Sequence, residues 1–166
     1  MLFVVVNGPP GSGKSTLATR LAMELDWPLI AKDDIKEALG DALDVGGQEW
    51  TQRLSAASFE VMWAVAARAP HAVLEGNFYP SAATRLRALD QAVLEVFCRC
   101  PLQVCRDRFE RRLREDNRHP VHPPDVPGLE FFEQFAEPIG IGPLLEVDTE
   151  LRPDVPRIVE WINANR

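Results

Sequence analysis

Cysteine is scarce in this sequence, and long hydrophobic runs are missing from it. The 166 residues include three cysteines, an odd number, all within positions 98–105. This usage argues against a disulfide-stapled scaffold and fits the reducing cytoplasm. No apolar run approaches the about 20 residues that a membrane span needs. The run at 2–6 is too short for a signal peptide and lacks its basic flank. We therefore expect a cytoplasmic protein without a membrane segment.

Positive charge is also in short supply. Lysine and arginine number 18 against 25 acidic residues, which gives a net charge of −7. Such a surface repels phosphate backbones on average, so nucleic acid would need a local basic patch. Apolar residues make up 46% of the chain, which is enough for a hydrophobic core. The length predicts a single domain over 1–166, with no internal repeat.

Apolar runs and helical patterns alternate along the chain. The apolar runs predict five strands, at 2–6, 29–31, 71–74, 92–100 and 144–147. Amphipathic spacing predicts helices at 14–25, from Asp33 onward, and at 50–69, 102–114 and 153–164. Because strands that alternate with helices form crossover units, we expect a three-layer α/β fold. It has a parallel sheet of about five strands with helices on both faces. The proline-rich stretch 117–128 is predicted to be a mobile loop.

The segment between the first strand and the first helix has the sequence GPPGSGKS, at 8–15. It fits the phosphate-loop motif G-x-x-x-x-G-K-[ST] at every specified position. Glycines let successive backbone N–H groups curl around a phosphate, and the helix presents its positive dipole end to the same anion. Lys14 is suited to bridge the β- and γ-phosphates, the Ser15 hydroxyl to ligate Mg²⁺, and Thr16 to lie near the α-phosphate. The alternative is a glycine-rich turn that binds nothing. The predicted nucleotide-binding residues are Gly8, Gly11, Ser12, Gly13, Lys14, Ser15 and Thr16.

Acidic residues follow two of the predicted strands. Asp33 and Asp34 come directly after the second strand; the plain alternative is a helix start whose carboxylates face the helix dipole. Glu75 ends the third strand, within VLEGNFY at 73–79. Its plain alternative is a turn, because Gly-Asn is ordinary turn chemistry. Ligands in open parallel sheets lie at the carboxyl ends of strands, so both positions are candidates for a site.

The densest basic patch lies between positions 99 and 122, which hold seven arginines and four acidic residues. Arg108 and Arg112 are four residues apart and share a helix face. Solvated Arg–Glu pairs would explain most of the other arginines in this patch. The three cysteines and two histidines nearby give no closed set of metal ligands. Buried core thiols are the better explanation for Cys98 and Cys100.

With these features the chain resembles the small P-loop kinases. This group contains chloramphenicol phosphotransferase, zeta-toxin-like kinases and the kinase domain of polynucleotide kinase, and, more distantly, adenylate and gluconate kinases. The resemblance covers nearly the whole chain, and no Asn-Lys-x-Asp motif of the guanine-binding proteins is present. It implies a P-loop fold with an arginine-rich lid at about 106–128, ATP and Mg²⁺ as cofactors, and phosphate transfer to a hydroxyl group.

The resemblance also implies roles for individual residues. One acid of the pair receives the proton of the acceptor hydroxyl. Chloramphenicol phosphotransferase and zeta-type kinases favour Asp33, whereas polynucleotide kinase favours Asp34. Glu75 stands at the Walker B position, where many relatives have Asp, and it is the implied metal-binding residue together with Ser15. The residues implied to stabilise the transferring phosphate are Lys14, Arg108, Arg112 and Arg118.

The leading hypothesis is an ATP-dependent kinase that acts on a hydroxyl of a small molecule such as a nucleoside, a sugar or an antibiotic. Asn77, Phe78 and Tyr79 would line the acceptor site. The first alternative is a nucleotide-binding switch or ATPase without a small-molecule acceptor, which would need neither the acidic pair nor the arginine lid. The second is a kinase for nucleic-acid 5′ ends, which the negative charge disfavours. The sequence leaves the acceptor and the oligomeric state open.

Overall fold

The computed structural model describes residues 1–115 and 118–166. Its helices and strands, in chain order, are β1 (Leu2–Asn7), α1 (Lys14–Leu25), β2 (Leu29–Ala31), α2 (Lys32–Leu43), α3 (Gln48–Ala66), β3 (His71–Glu75), α4 (Ala82–Arg87), β4 (Ala92–Arg99), α5 (Leu102–Glu115), α6 (Leu129–Glu133), β5 (Leu144–Asp148) and α7 (Val155–Ala164).

The strands form one parallel sheet in the order β2-β3-β1-β4-β5. This confirms the predicted five-stranded α/β fold. β1 lies in the middle, and all six of its residues are buried, as expected for a strand covered on both faces. Val6 pairs with Glu75 in β3, so the phosphate loop after β1 and the end of β3 lie side by side.

The side chains of β1 alternate between the two faces of the sheet, and helices cover both faces. Val4 and Val6 face a cluster that contains residues of α1 and α7, whereas Phe3 and Val5 face a second cluster that contains residues of α3 and α4. Each fully buried valine or leucine side chain contributes about 1.5–3 kcal/mol to folding. The two clusters together fix the position of β1 and of the phosphate loop at its carboxyl end.

Several element boundaries differ from the prediction by a few residues. The helix expected at 50–69 is α3, which ends at Ala66, and the strand expected at 92–100 ends at Arg99. The last helix begins at Val155, two residues later than expected, because the Asp154 side chain accepts a hydrogen bond from the Arg157 N–H at 3.2 Å and caps it. The short helices α4 and α6 were not predicted.

The three cysteines are free and buried, which agrees with the interpretation of Cys98 and Cys100 as core thiols. Burial raises the pKa of Cys98 and that of Cys105 to about 12, so neither is a thiolate near neutral pH. Within 1–115 and 118–166, no helix is long and apolar enough to span a bilayer.

Candidate active site

The phosphate loop curls at the carboxyl end of β1. Gly11 and Gly13 have φ values of +81° and +86°, a left-handed conformation that glycine adopts without strain. A Cβ atom added at Gly11 would lie 2.1 Å from the carbonyl oxygen of Cys105, so the loop packs directly against the first turn of α5. Only glycine fits at this contact, which fixes the curvature that the motif requires.

Ser12 supports an anionic ligand in this loop. Its side chain is fully buried, and its hydroxyl has no hydrogen-bond partner among the residues that the structure describes. An unpartnered buried hydroxyl is unfavourable by about 1–3 kcal/mol. A phosphate oxygen held by the loop would satisfy it, so the residues present fit a bound nucleotide.

Lys14, Ser15 and Glu75 meet at the mouth of the loop. Ser15 Oγ donates a hydrogen bond to Glu75 Oε1 at 3.2 Å, and Lys14 Nζ lies 4.0 Å from the same oxygen. Lys14 Nζ also donates to the carbonyl oxygen of Pro9 at 3.4 Å. Burial raises the pKa of Glu75, although the Lys14 charge and the Ser15 hydrogen bond oppose the change. The structure thus brings together the two residues that the sequence predicts for metal binding.

A cavity of about 1090 Å³ opens beside the phosphate loop. The predicted site residues that line it come from the loop, from the start of α2 and from the arginine-rich segment: Gly11, Lys14, Ser15, Asp33, Asp34, Arg112 and Arg118. The other predicted residues do not line it. Gly8, Ser12, Gly13 and Thr16 belong to the loop and its helix, Glu75 lies behind Ser15, and Arg108 points elsewhere.

Asp33 and Asp34 differ in the direction in which the protein shifts their pKa. Asp33 is half-buried, and its Oδ1 accepts a hydrogen bond from Lys32 Nζ at 3.0 Å. Burial alone would raise the pKa of Asp33, but the charges of Lys32, His122 and Lys14 outweigh burial and lower it to about 2. Burial and the neighbouring carboxylates raise the pKa of Asp34. Asp33 is therefore the acid that the positive side chains of the site surround.

The three predicted lid arginines fall into two places. Arg112 and Arg118 line the cavity. Arg108 instead donates to the carbonyl oxygen of Thr149 at 3.1 Å, at the loop after β5, and contacts the sulfur of Cys100. One helical turn separates Arg108 from Arg112, and this is enough to put the first against the end of the sheet and the second at the cavity. The predicted lid also includes residues 116 and 117, which lie outside the described residues.

The segment that follows Arg118 packs on α2. His119 Nε2 lies 3.0 Å from Asp41 Oδ1, and His122 Nε2 lies 2.8 Å from Glu37 Oε1. Between these pairs Val121 packs against Gly40. A Cβ atom added at Gly40 would lie 3.0 Å from the Cγ2 atom of Val121. Glu37 and Asp41 are one helical turn apart, so both histidines meet the same face of α2. This contact places His119, His122 and Glu37 in the wall of the cavity.

The residues after β3 are divided between cavity and core. Asn77 and Tyr79 line the cavity as predicted. Phe78 does not: it is 1% exposed and packs against Phe59 and Trp63. The alternation of side chains along an extended segment explains this difference. The side-chain oxygen of Asn77 is buried without a hydrogen-bond partner in the described chain, so it is available to a ligand.

The sequence did not predict a large part of the cavity wall. Thr51, Gln52 and Ser55 line it from α3, and Phe131 and Phe135 from the region of α6. The ring centroids of Tyr79 and Phe135 are 4.7 Å apart. These residues lie far from any motif, and α6 has too few residues for a periodic signal. Only the folded chain brings them together.

Few protein ligands for a metal are present. Within the described part of the chain, no group of three or more His, Cys, Asp or Glu residues could hold a metal ion by itself. Mg²⁺ in nucleotide sites keeps several waters and takes one or two protein oxygens together with phosphate oxygens. The neighbouring oxygens of Ser15 and Glu75 fit that kind of site.

Fold and site together define the chain as a small P-loop kinase by class. A family model described as an AAA domain matches residues 3–128, more than half of the chain, and the chain belongs to this family. A protein from Chloroflexus aurantiacus that is assigned as a kinase is 29% identical, with a TM-score of 0.89 over 99% of this chain and 97% of that one.

More distant matches agree with this class. A gluconokinase from Sinorhizobium meliloti has a TM-score of 0.59 and 20% identity, over 98% of this chain and 89% of that chain; it shares the fold. A cytidylate kinase from Ignicoccus hospitalis is 42% identical over 45 residues, which are 27% of this chain and 26% of that enzyme. The chain therefore covers about a quarter of that curated relative.

Proposed function

We propose that this protein transfers the γ-phosphate of ATP to a hydroxyl group of a small molecule bound in the cavity. The observation that carries the proposal is the cavity itself. Lys14 and Ser15 of the phosphate loop and Asp33 of α2 all line it. A phosphoryl donor and an alcohol acceptor need groups of this kind facing each other across one space. The relatives assigned as kinases support the same reaction.

The reaction forms a bond between the acceptor oxygen and the γ-phosphorus while the bond from that phosphorus to the β,γ-bridging oxygen breaks, and ADP leaves. Lys14 neutralises charge on the phosphates, and Arg112 and Arg118 face the same cavity as further cations. Guanidinium groups stay charged and donate in a fork that matches phosphate oxygens. Ser15 and Glu75 would hold Mg²⁺, which when bound neutralises polyphosphate charge.

Asp33 receives the proton of the acceptor hydroxyl. With a pKa of about 2, it is a weak base that cannot remove this proton in advance. The transition state of phosphoryl transfer is loose, so the acceptor oxygen becomes acidic only as its bond to phosphorus forms. Asp33 therefore first orients the hydroxyl by accepting its hydrogen bond and takes the proton late. Asp34 lines the same cavity but is exposed and has no basic hydrogen-bond partner in the described chain.

The test is coupled ADP release with ATP, Mg²⁺ and a panel of alcohols. The panel includes gluconate and cytidine 5′-monophosphate, whose kinases are among the related proteins, together with neutral sugars and nucleosides. We expect at least one acceptor to raise ADP release well above the rate with ATP alone, and mass spectrometry to find the phosphorylated product. ADP release that no acceptor stimulates, including a 5′-hydroxyl oligonucleotide, would favour an ATPase or a switch.

A further inference from the structure

Lys36 is a buried cation that lines the cavity and has no partner among the residues that the structure describes. It lies in α2, one turn after Asp33, and lines the cavity although only 4% of its surface is exposed. No hydrogen bond or ion pair to Lys36 occurs within residues 1–115 and 118–166. Burial, with the charges of Lys32 and Arg118, lowers the pKa of Lys36 to about 8. The ammonium group is thus still largely protonated at neutral pH, at a cost in desolvation.

The two carboxylates whose charges act on Lys36 are those of Asp33 and Glu37, and both already have other partners. Asp33 accepts from Lys32 at 3.0 Å, and Glu37 is hydrogen-bonded to His122 at 2.8 Å. Neither forms an ion pair with Lys36 within 4.0 Å. A buried charge is normally paired, because an uncompensated one is destabilising. Because no residue that the structure describes fills this role, we expect the partner of Lys36 to be an anion bound in the cavity.

Arg118 adds a second cation to the same part of the cavity. Its guanidinium carbon lies 4.6 Å from the ring centroid of Phe109, so the aromatic face supports the planar group. Burial lowers the pKa of Arg118. The charge of Arg118 in turn lowers the pKa of Lys36 by repulsion. A guanidinium that rests on a ring keeps its edge N–H donors for another ligand. The two cations can face a single anion.

We propose that the acceptor carries an anionic group, a carboxylate or a phosphate, which Lys36 and Arg118 bind while its hydroxyl lies at Asp33. This inference rests on the proposed function and names the substrate class of the same site. Residues three apart on a helix have Cβ atoms about 5–6 Å apart. The anion and the reacting hydroxyl therefore fit within one small molecule, such as a hydroxy acid or a phosphorylated alcohol.

The first experiment follows the lysine Nζ signals by NMR. The chain has three lysines, so these signals are few. The protein is saturated with Mg²⁺ and a non-hydrolysable ATP analogue, which occupies the phosphate loop, and is then titrated with acetate or methyl phosphate. We expect the bound anion to raise the pKa of Lys36 from about 8 by roughly one unit or more. The probe that binds more tightly identifies the class of anion.

Three variants make this test specific. Lys36→Met and Arg118→Gln should each weaken the tighter probe at least tenfold, whereas Arg68→Met, an exposed arginine outside the cavity, should leave it unchanged. Lys36→Met should also raise the melting temperature of the ligand-free protein, because it removes a buried unpaired charge. A Lys36 signal that responds to neither probe, or to the nucleotide analogue alone, would overturn the inference.

Kinetics separate this inference from the proposed function. With an acceptor from the panel, Lys36→Met should raise the KM for that acceptor at least tenfold and leave the KM for ATP unchanged. A neutral acceptor that the variant and the unmodified protein phosphorylate equally well would contradict the inference alone. Absence of transfer to every acceptor, with probe anions still bound at Lys36, would contradict the proposed function alone.

Discussion

Asp33 stays ionised because cations surround it, even though burial opposes its charge. Lys32 contributes a hydrogen bond, and Lys14 and His122 contribute charge. Since the folded-state pKa of about 2 lies below the ordinary value of 3.8, ionised Asp33 stabilises the fold above about pH 4. That contribution is lost as the pH falls toward 2. At neutral pH the carboxylate is therefore a permanent acceptor for a hydroxyl.

The acidic pair provides a direct comparison of two neighbouring carboxylates. Asp33→Asn keeps the size and polarity of the side chain but removes its ability to take a proton, so turnover should fall by roughly 10²–10⁴-fold. The affinity for ATP should hardly change. Asp34→Asn is the matched control and should have the smaller effect. Steady-state kinetics with a proven acceptor measure both, and the reverse order would assign the base to Asp34.

Ser15 and Glu75 should act through the metal. Ser15→Ala removes the hydroxyl oxygen, and Glu75→Gln removes the negative charge of the carboxylate that lies 3.2 Å from that hydroxyl. We therefore expect either change to lower nucleotide affinity in the presence of Mg²⁺ by about tenfold or more. Affinity in EDTA should change much less. Isothermal titration with and without Mg²⁺ measures the difference. Equal losses in the two conditions would remove these residues from the metal site.

At the scale of elements, α2 carries both Asp33, the proposed base, and Glu37, which contacts His122. Its first turn presents Asp33, and one turn further Glu37 binds His122. The segment around His122 therefore packs on the same helix that carries the proposed base. A change at this contact should alter the affinity for the acceptor more than the affinity for the nucleotide at the phosphate loop.

This contact predicts a pH-dependent stability. Burial lowers the pKa of His122, although Asp33 and the hydrogen bond to Glu37 oppose the change, and Arg118 and Lys36 add repulsion. Below about pH 6.5 the unfolded chain binds a proton that the folded chain resists, so stability should fall as the pH drops from 7 toward 5.

His122→Gln should flatten this dependence in urea unfolding curves measured across that range. The control is His71→Gln, at the amino end of β3, which should keep the slope of the unmodified protein. A slope that His122→Gln leaves unchanged would mean that the contact does not resist protonation of this histidine.

The same elements explain what the sequence could predict. The phosphate loop is local: its glycines, Lys14 and Ser15 are consecutive, so one motif with a strand before it and a helix after it was sufficient. The His122–Glu37 contact joins residues 85 positions apart, and nothing in either segment alone indicates the other. Arg108 shows the limit of helix spacing, because a shared face did not mean a shared environment.

At the scale of the whole molecule, the sheet order brings the functional groups together. The strands that flank β1 are β3 and β4, and β2 lies beyond β3. The ends of β1, β3 and β2 thus present the phosphate loop, Glu75 and the start of α2 along one edge. Because the net charge of the chain is −7, the cations that line the cavity are opposite in sign to the chain as a whole. The proposed small anionic acceptor would be attracted to these cations without requiring a basic surface.

The central claim is phosphoryl transfer within this cavity, and the most direct test is the transfer of labelled γ-phosphate from ATP to an acceptor by the unmodified protein and by Lys14→Ala. Lys14 is the lysine of the phosphate loop and lies 4.0 Å from Glu75. Its loss should reduce transfer by about 10²–10³-fold, while circular dichroism shows an intact fold. Near-native transfer by Lys14→Ala, or label that appears only as inorganic phosphate with every acceptor, would contradict the account.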